Sequence, residues 1–77
     1  MFKVFVGNLS FKTTVEQIRE IFEPHIEIED VVIATDPKTS KKLGYGFVMT
    51  RDADKGRAAL RRIGKKYIDG RLVYFKE

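Results

Sequence analysis

Residues 43–50 read Leu43-Gly44-Tyr45-Gly46-Phe47-Val48-Met49-Thr50. The run is rich in aromatic and β-branched residues and follows a polar, turn-like stretch, so it predicts a strand. Side chains alternate across a strand. Tyr45, Phe47 and Met49 therefore point one way, and Gly44, Gly46, Val48 and Thr50 the other. Which of the two sides meets the core decides what the chain can do. Periodicity alone buries the aromatics, because theirs is the more hydrophobic side. The glycines argue the other way: without side chains, Gly44 and Gly46 would let helices approach closely on their side. The aromatics would then stand on an open face.

Working outward, the elements form a regular series. Phe2-Lys3-Val4-Phe5-Val6 alternates and predicts a first strand, with Phe2, Val4 and Val6 on the wholly apolar face and Lys3 with Phe5 on the other. Gly7-Asn8-Leu9-Ser10 breaks it. Thr14 can cap a helix, with Gln17 completing a capping box. Val15, Ile18, Ile21 and Phe22 recur at helical spacing, and Pro24 ends the helix near Phe22 or Glu23. Ile28 to Ala34, with Val31-Val32-Ile33, predicts a second strand, and Asp36 to Lys42 a polar, basic turn. Past the third strand, Asp52 or Asp54 caps a second helix with Ala59, Leu60 and Ile63 on its apolar stripe, and Gly64 ends it. A turn at Asp69-Gly70 leads into a last strand, Arg71 to Phe75. The order βαββαβ predicts an α+β, ferredoxin-like plait: a four-stranded antiparallel sheet with two helices on one face. The other face is left to solvent or a ligand.

Composition narrows the classes. The 77 residues allow one small domain, 1–77, without repeats or linkers. Cysteine is absent, which removes disulfides and thiolate metal sites and suits a reducing compartment inside the cell. Nucleus and cytoplasm are expected, with an organelle also open. His25 is the only histidine and cannot build a metal cluster by itself. No stretch approaches the ~20 apolar residues of a membrane span, and no signal peptide is expected ahead of the first strand. Net charge is +4, but it is unevenly placed. Residues 1–36 carry three Lys/Arg against seven Asp/Glu, a net of −4; residues 37–77 carry twelve against four, a net of +8. Such a balance fits a polyanionic partner or a solvated surface.

An exposed aromatic face needs a reason. Base stacking supplies one, since every base offers a π-face, and lysines around it would hold phosphates. Two runs carry a resemblance that bears on this. Val4-Phe5-Val6-Gly7-Asn8-Leu9 resembles the short ribonucleoprotein motif of RNA-recognition-motif domains, and residues 43–50 resemble the family's longer octamer. Both lie on strands, in the family's order, and the resemblance spans essentially the whole chain. It implies that the first and third strands sit at the centre of the sheet, with the two glycines facing the helices. It also implies that the open face binds single-stranded RNA. Phe5 and Phe47 would stack under bases, and Tyr45 would pack on a base or ribose. Val73 and Phe75 then turn inward, so Leu72, Tyr74 and Lys76 join the face, with Tyr74 a further stacking candidate. Lys3, Lys41, Lys42 and Arg71 complete the expected set as phosphate contacts. Asn8 is expected to brace the loop after the first strand rather than touch RNA.

The departures from the family pattern are specific. Leu43 stands where a phosphate-binding Lys or Arg is usual, and Thr50 where an aromatic is usually buried, so Thr50 is expected to weaken packing. Habitual glycines are replaced by Ile26 and Ser40. Gly56 replaces an alanine within the second helix, at a cost of roughly 1 kcal/mol. A protein-binding module of the same fold and a single-stranded DNA binder are the nearest alternatives. An enzyme would need a nucleophile–base pair or a phosphate loop, and none accompanies His25, Glu27 or Glu29. The expectation is a monomeric, non-catalytic domain without cofactor or metal.

Overall fold

The structure, a computed structural model, describes residues 1–77. Its elements are β1 (Phe2–Gly7), α1 (Val15–Phe22), β2 (Asp30–Thr35), β3 (Lys42–Thr50), α2 (Ala53–Ile63), β4 (Lys66–Ile68) and β5 (Arg71–Lys76). The strands lie in the order β2-β3-β1-β5-β4, and every pairing is antiparallel. The plait is therefore as expected, but the sheet has five strands rather than four. The additional strand, β4, is three residues long and joins β5 through Asp69 and Gly70 at φ 50° and 80°. Two left-handed residues make the two-residue turn whose twist matches a hairpin, and Asp-Gly is a preferred pair for it. Three residues are too few to show alternation, so β4 left no periodic signal.

Both helices begin as their sequences dictate. The Thr14 hydroxyl accepts from the Gln17 amide at 3.2 Å, and the Gln17 side chain accepts from the Thr14 amide at 2.8 Å. That reciprocal pair satisfies two otherwise unpaired donors. Asp52, not Asp54, caps α2 by accepting from the Lys55 amide at 3.0 Å. α1 ends at Phe22, ahead of Pro24.

The core lies between the helices and one face of the sheet. Phe2, Val4 and Val6 of β1, Val31, Val48 and Val73 form one buried cluster with Ile18, Phe22, Ala59 and Ile63 from the helices. Each of these valine, isoleucine and phenylalanine side chains, fully buried, contributes roughly 1.5–3 kcal/mol. Cross-strand register fixes the facing of β3. Val4 lies opposite Val48, Val6 opposite Gly46, and Phe5 opposite Phe47. Directly opposed residues share a face, so once β1 buries its wholly apolar side, Tyr45 and Phe47 must face outward.

The glycines and the departures have other causes than the sequence implied. Gly46 does face inward, but a Cβ there would run into the Val32 carbonyl of β2, not a helix. The register between β2 and β3 shifts just beyond this point, between Ile33 and Thr35. Gly44 has φ +86° and its nearest neighbour is the Leu9 carbonyl oxygen, at 3.6 Å. Gly56 is a matter of packing: the Phe2 ring lies where an alanine methyl would sit. Ile26 needs no glycine conformation and is buried in the core. Ser40 does hold a left-handed backbone, at φ 62°. Thr50 is buried with its hydroxyl satisfied, donating to the Glu27 carbonyl at 3.1 Å.

Candidate nucleic-acid interface

The uncovered face is built in rows across the strands. One row runs Val32, Phe47, Phe5, Lys76, as successive register partners on β2, β3, β1 and β5. The next runs Tyr45, Gly7, Tyr74. The missing side chain in the second row matters. A Cβ on Gly7 would overlap the Tyr74 ring, so Tyr74 lies down over the glycine and reaches Phe5. Ring centroids are 5.7 Å apart for Phe5 and Tyr45, 5.8 Å for Phe5 and Phe47, 6.0 Å for Tyr45 and Phe47, and 6.2 Å for Phe5 and Tyr74. Phe5 and Tyr45 are stacked, while Phe47 stands edge-on to both. Four aromatic side chains thus share one patch, partly open to solvent, with no helix above it.

The expected cations divide into two groups. Lys3 lies over the Phe47 ring with Nζ 4.4 Å from its centroid, a cation–π contact that places positive charge at the platform's edge. Lys76 is exposed beside Phe5. Lys41 is exposed in the loop before β3. Lys42 and Arg71 are already engaged. The Lys42 ammonium donates to the Thr13 carbonyl at 2.8 Å. The Arg71 guanidinium donates through Nε to the Asn8 carbonyl at 3.2 Å and through Nη2 to the Asn8 side-chain oxygen. Asn8 has a left-handed backbone and also donates to the Leu72 carbonyl at 2.9 Å, so it ties the end of β1 to β5. Strand parity puts Arg71 on the side of Val73 and Phe75, away from Leu72 and Tyr74. Leu43 is half-exposed on the open face, in line with Tyr45 and Phe47.

Two lining residues escaped the sequence reading. Val32 is exposed opposite Phe47, at the β2 end of the first row. Gly7 is the bed for Tyr74, and its signal was present: a glycine with the parity of Phe5 at the end of β1. The largest concavity, about 770 Å³, lies on the helix side between α2 and the segment after α1. It is lined by charges of both signs, and there Arg51 pairs with Glu29 at 2.6 Å. Its one ring is His25, against four on the sheet face, and it holds no cluster able to bind a metal.

Comparison with known proteins agrees with this architecture. The family model described as RNA recognition motif matches residues 4–74. The chain belongs to the RNA recognition motif family. It is 46% identical over 72 residues to RNA-binding protein 24 of Homo sapiens, covering 90% of this chain and 29% of that protein. It is 31% identical over 72 residues to Multiple RNA-binding domain-containing protein 1 of Kluyveromyces lactis, covering 94% of this chain and 8% of that one. The chain therefore spans under a third of either relative's length. Among solved structures, the second RRM domain of the yeast poly(U)-binding protein Pub1 superposes with a TM-score of 0.87 at 25% identity, over 99% of this chain and 92% of that one.

Proposed function

We propose that the open face of the sheet binds single-stranded RNA. Bases stack on Phe5 and Phe47, Tyr45 and Tyr74 pack against a base or ribose, and Lys3, Lys41 and Lys76 neutralise phosphates. Lys42 and Arg71 hold the loops beside the platform through Thr13 and Asn8, and each keeps N–H groups not used in those contacts. The observation that carries this reading is the cluster of four rings on an uncovered sheet face, in which Tyr45, Phe47 and Tyr74 each lie 5.7–6.2 Å from Phe5 between ring centroids. An aromatic patch of that kind, rimmed by lysines, has the shape and charge of a nucleotide-stacking surface. Family membership and the RNA-binding names of its relatives support it.

The test is titration with oligouridylate RNA, chosen because a structural neighbour is named for binding poly(U), with the matching deoxy-oligonucleotide in parallel. Tyrosine fluorescence reports on Tyr45 and Tyr74 directly. RNA should quench it, and each phosphate contact should add about −0.7 to the slope of log affinity against log salt. Absence of quenching with both uridylate and mixed-sequence RNA would contradict the proposal. Equal binding of the DNA would show that stacking and charge dominate over the ribose 2′-hydroxyl.

A further inference from the structure

The uneven charge of the chain is sorted in space. Residues 20–30 carry Glu20, Glu23, Glu27, Glu29 and Asp30, all exposed, and no lysine or arginine. Glu23 and Glu29 have Arg19 and Arg51 beside them; Glu20, Glu27 and Asp30 have no cation partner. Glu20 and Glu23 lie late in α1, which packs against β2, and Asp30 opens β2, one edge strand of the sheet. Residues 61–66 are the reverse: Arg61, Arg62, Lys65 and Lys66 without an acid, all four exposed and none in an ion pair. Arg62 turns toward the concavity that Glu27 and Glu29 also line. The other three collect at the opposite edge. Lys65 leads into β4, the other edge strand, and Lys66 begins it. Arg61 is one turn beyond Arg57, which reaches Glu77 past the end of β5 at 2.7 Å. The nearest acid, Asp69, is taken up by Thr13 and Gln17. One edge of the domain is thus acidic and the other basic, with the open face between them.

The aromatic rows cross the strands from β5 toward β2. A single strand laid along them passes over one edge and then the other. A second copy on the same strand, with its open face also on the RNA, sets its basic edge against the acidic edge of the first. We propose that these two edges are an interaction surface whose partner is a second copy of this chain, engaged side by side on one RNA. The inference rests on the proposed RNA-binding face. The contact is heterologous, so it leaves one edge of each kind free and repeats along the strand. Charge also sets its condition. Each copy is +4 overall, so free copies repel, and exposed ion pairs are individually weak. RNA phosphates offset the repulsion, and the shared strand supplies the local concentration. The domain is monomeric when free and cooperative on long RNA.

The test titrates a short oligouridylate that holds one copy and a long one that holds several. The short RNA gives each protein's own affinity, so any change in net charge is accounted for. On the long RNA the parent should bind more steeply than independent sites allow, with a neighbour tightening binding on the order of tenfold. Arg61→Glu, Lys65→Glu and Lys66→Glu together make both edges acidic. Glu20→Lys, Glu23→Lys and Glu27→Lys together make both basic. Overlaid unfolding curves confirm that each variant is folded. Either variant alone should lose the cooperativity, and an equimolar mixture should regain it, because unlike edges then meet. Independent binding by the parent on long RNA, with the short RNA still bound, would overturn the contact and leave the platform standing. Cooperativity that survives in either variant alone would overturn it too. A mixture that stays independent would show that the basic edge grips phosphate or an acidic protein instead of a second copy. A parent that binds neither RNA removes both proposals.

Discussion

Val4 and Phe5 are neighbours on β1, and Val48 and Phe47 are neighbours on β3, yet each pair is split between two faces of one sheet. The valines are almost wholly buried beneath the helices, while the larger and more hydrophobic phenylalanines stay partly in solvent. Hydrophobicity by itself would arrange them the other way round. What decides is the cost of the alternative. Turning β3 over would turn β1 with it, since Phe5 and Phe47 are paired, and would move Phe2, Val4 and Val6 out of the core. The core face is specified by all strands together, and the open face is what remains for a ligand.

The largest effect that sharpens this contrast is expected at the core. Phe22 is buried on the sheet side of α1 and meets Phe75 edge-on, with centroids 5.1 Å apart. Phe22→Ala should lower unfolding free energy by about 3–5 kcal/mol. Denaturant titration with an unchanged m-value would verify it. A loss of the size seen for surface changes, under about 0.5 kcal/mol, would break the assignment of faces.

Gly56→Ala gives an intermediate effect with an informative sign. In an ordinary helix interior, alanine is favoured by about 1 kcal/mol. Here the methyl would overlap the Phe2 ring, so the substitution should cost about 1–3 kcal/mol, as overpacking does. A rise in thermal midpoint would show that the helix and β1 are less tightly packed than described. The smallest effect belongs to neither face. Ser40 sits at φ 62° in the loop before β3, and Ser40→Gly should stabilise by about 0.5–1 kcal/mol as left-handed strain is relieved. The same denaturation measurement checks it, and no gain would mean the loop relaxes that strain by itself.

The contrast also shows what the sequence could reveal. Local chemistry at the first helix was legible: the Thr14–Gln17 box and the stop before Pro24 are contained within a few residues. Facing was not legible from β3 alone, because its aromatic side is the more hydrophobic; register with β1 or resemblance to a family was needed. β4 was missed for want of length, although Asp69-Gly70 is a hairpin signal that implies a strand on each side. For the candidate site, Phe5, Tyr45 and Phe47 could be placed on the open face by motif, and Tyr74 by its parity against Val73 and Phe75. The engagement of Lys42 by Thr13 and of Arg71 by Asn8 could not be foreseen. Those partners lie 29 and 63 positions apart in the chain, and only the fold brings them together.

The central claim is that the open-face aromatics serve binding and not the core. It is tested most directly by measuring RNA affinity and stability on the same Phe47→Ala protein. Affinity for oligouridylate should fall by about 1–3 kcal/mol, the worth of one base stack. Stability should change by about 1 kcal/mol or less, far from the loss expected for Phe22→Ala. Retained RNA affinity together with unfolding at much lower denaturant would show that Phe47 is a packing residue and contradict the account.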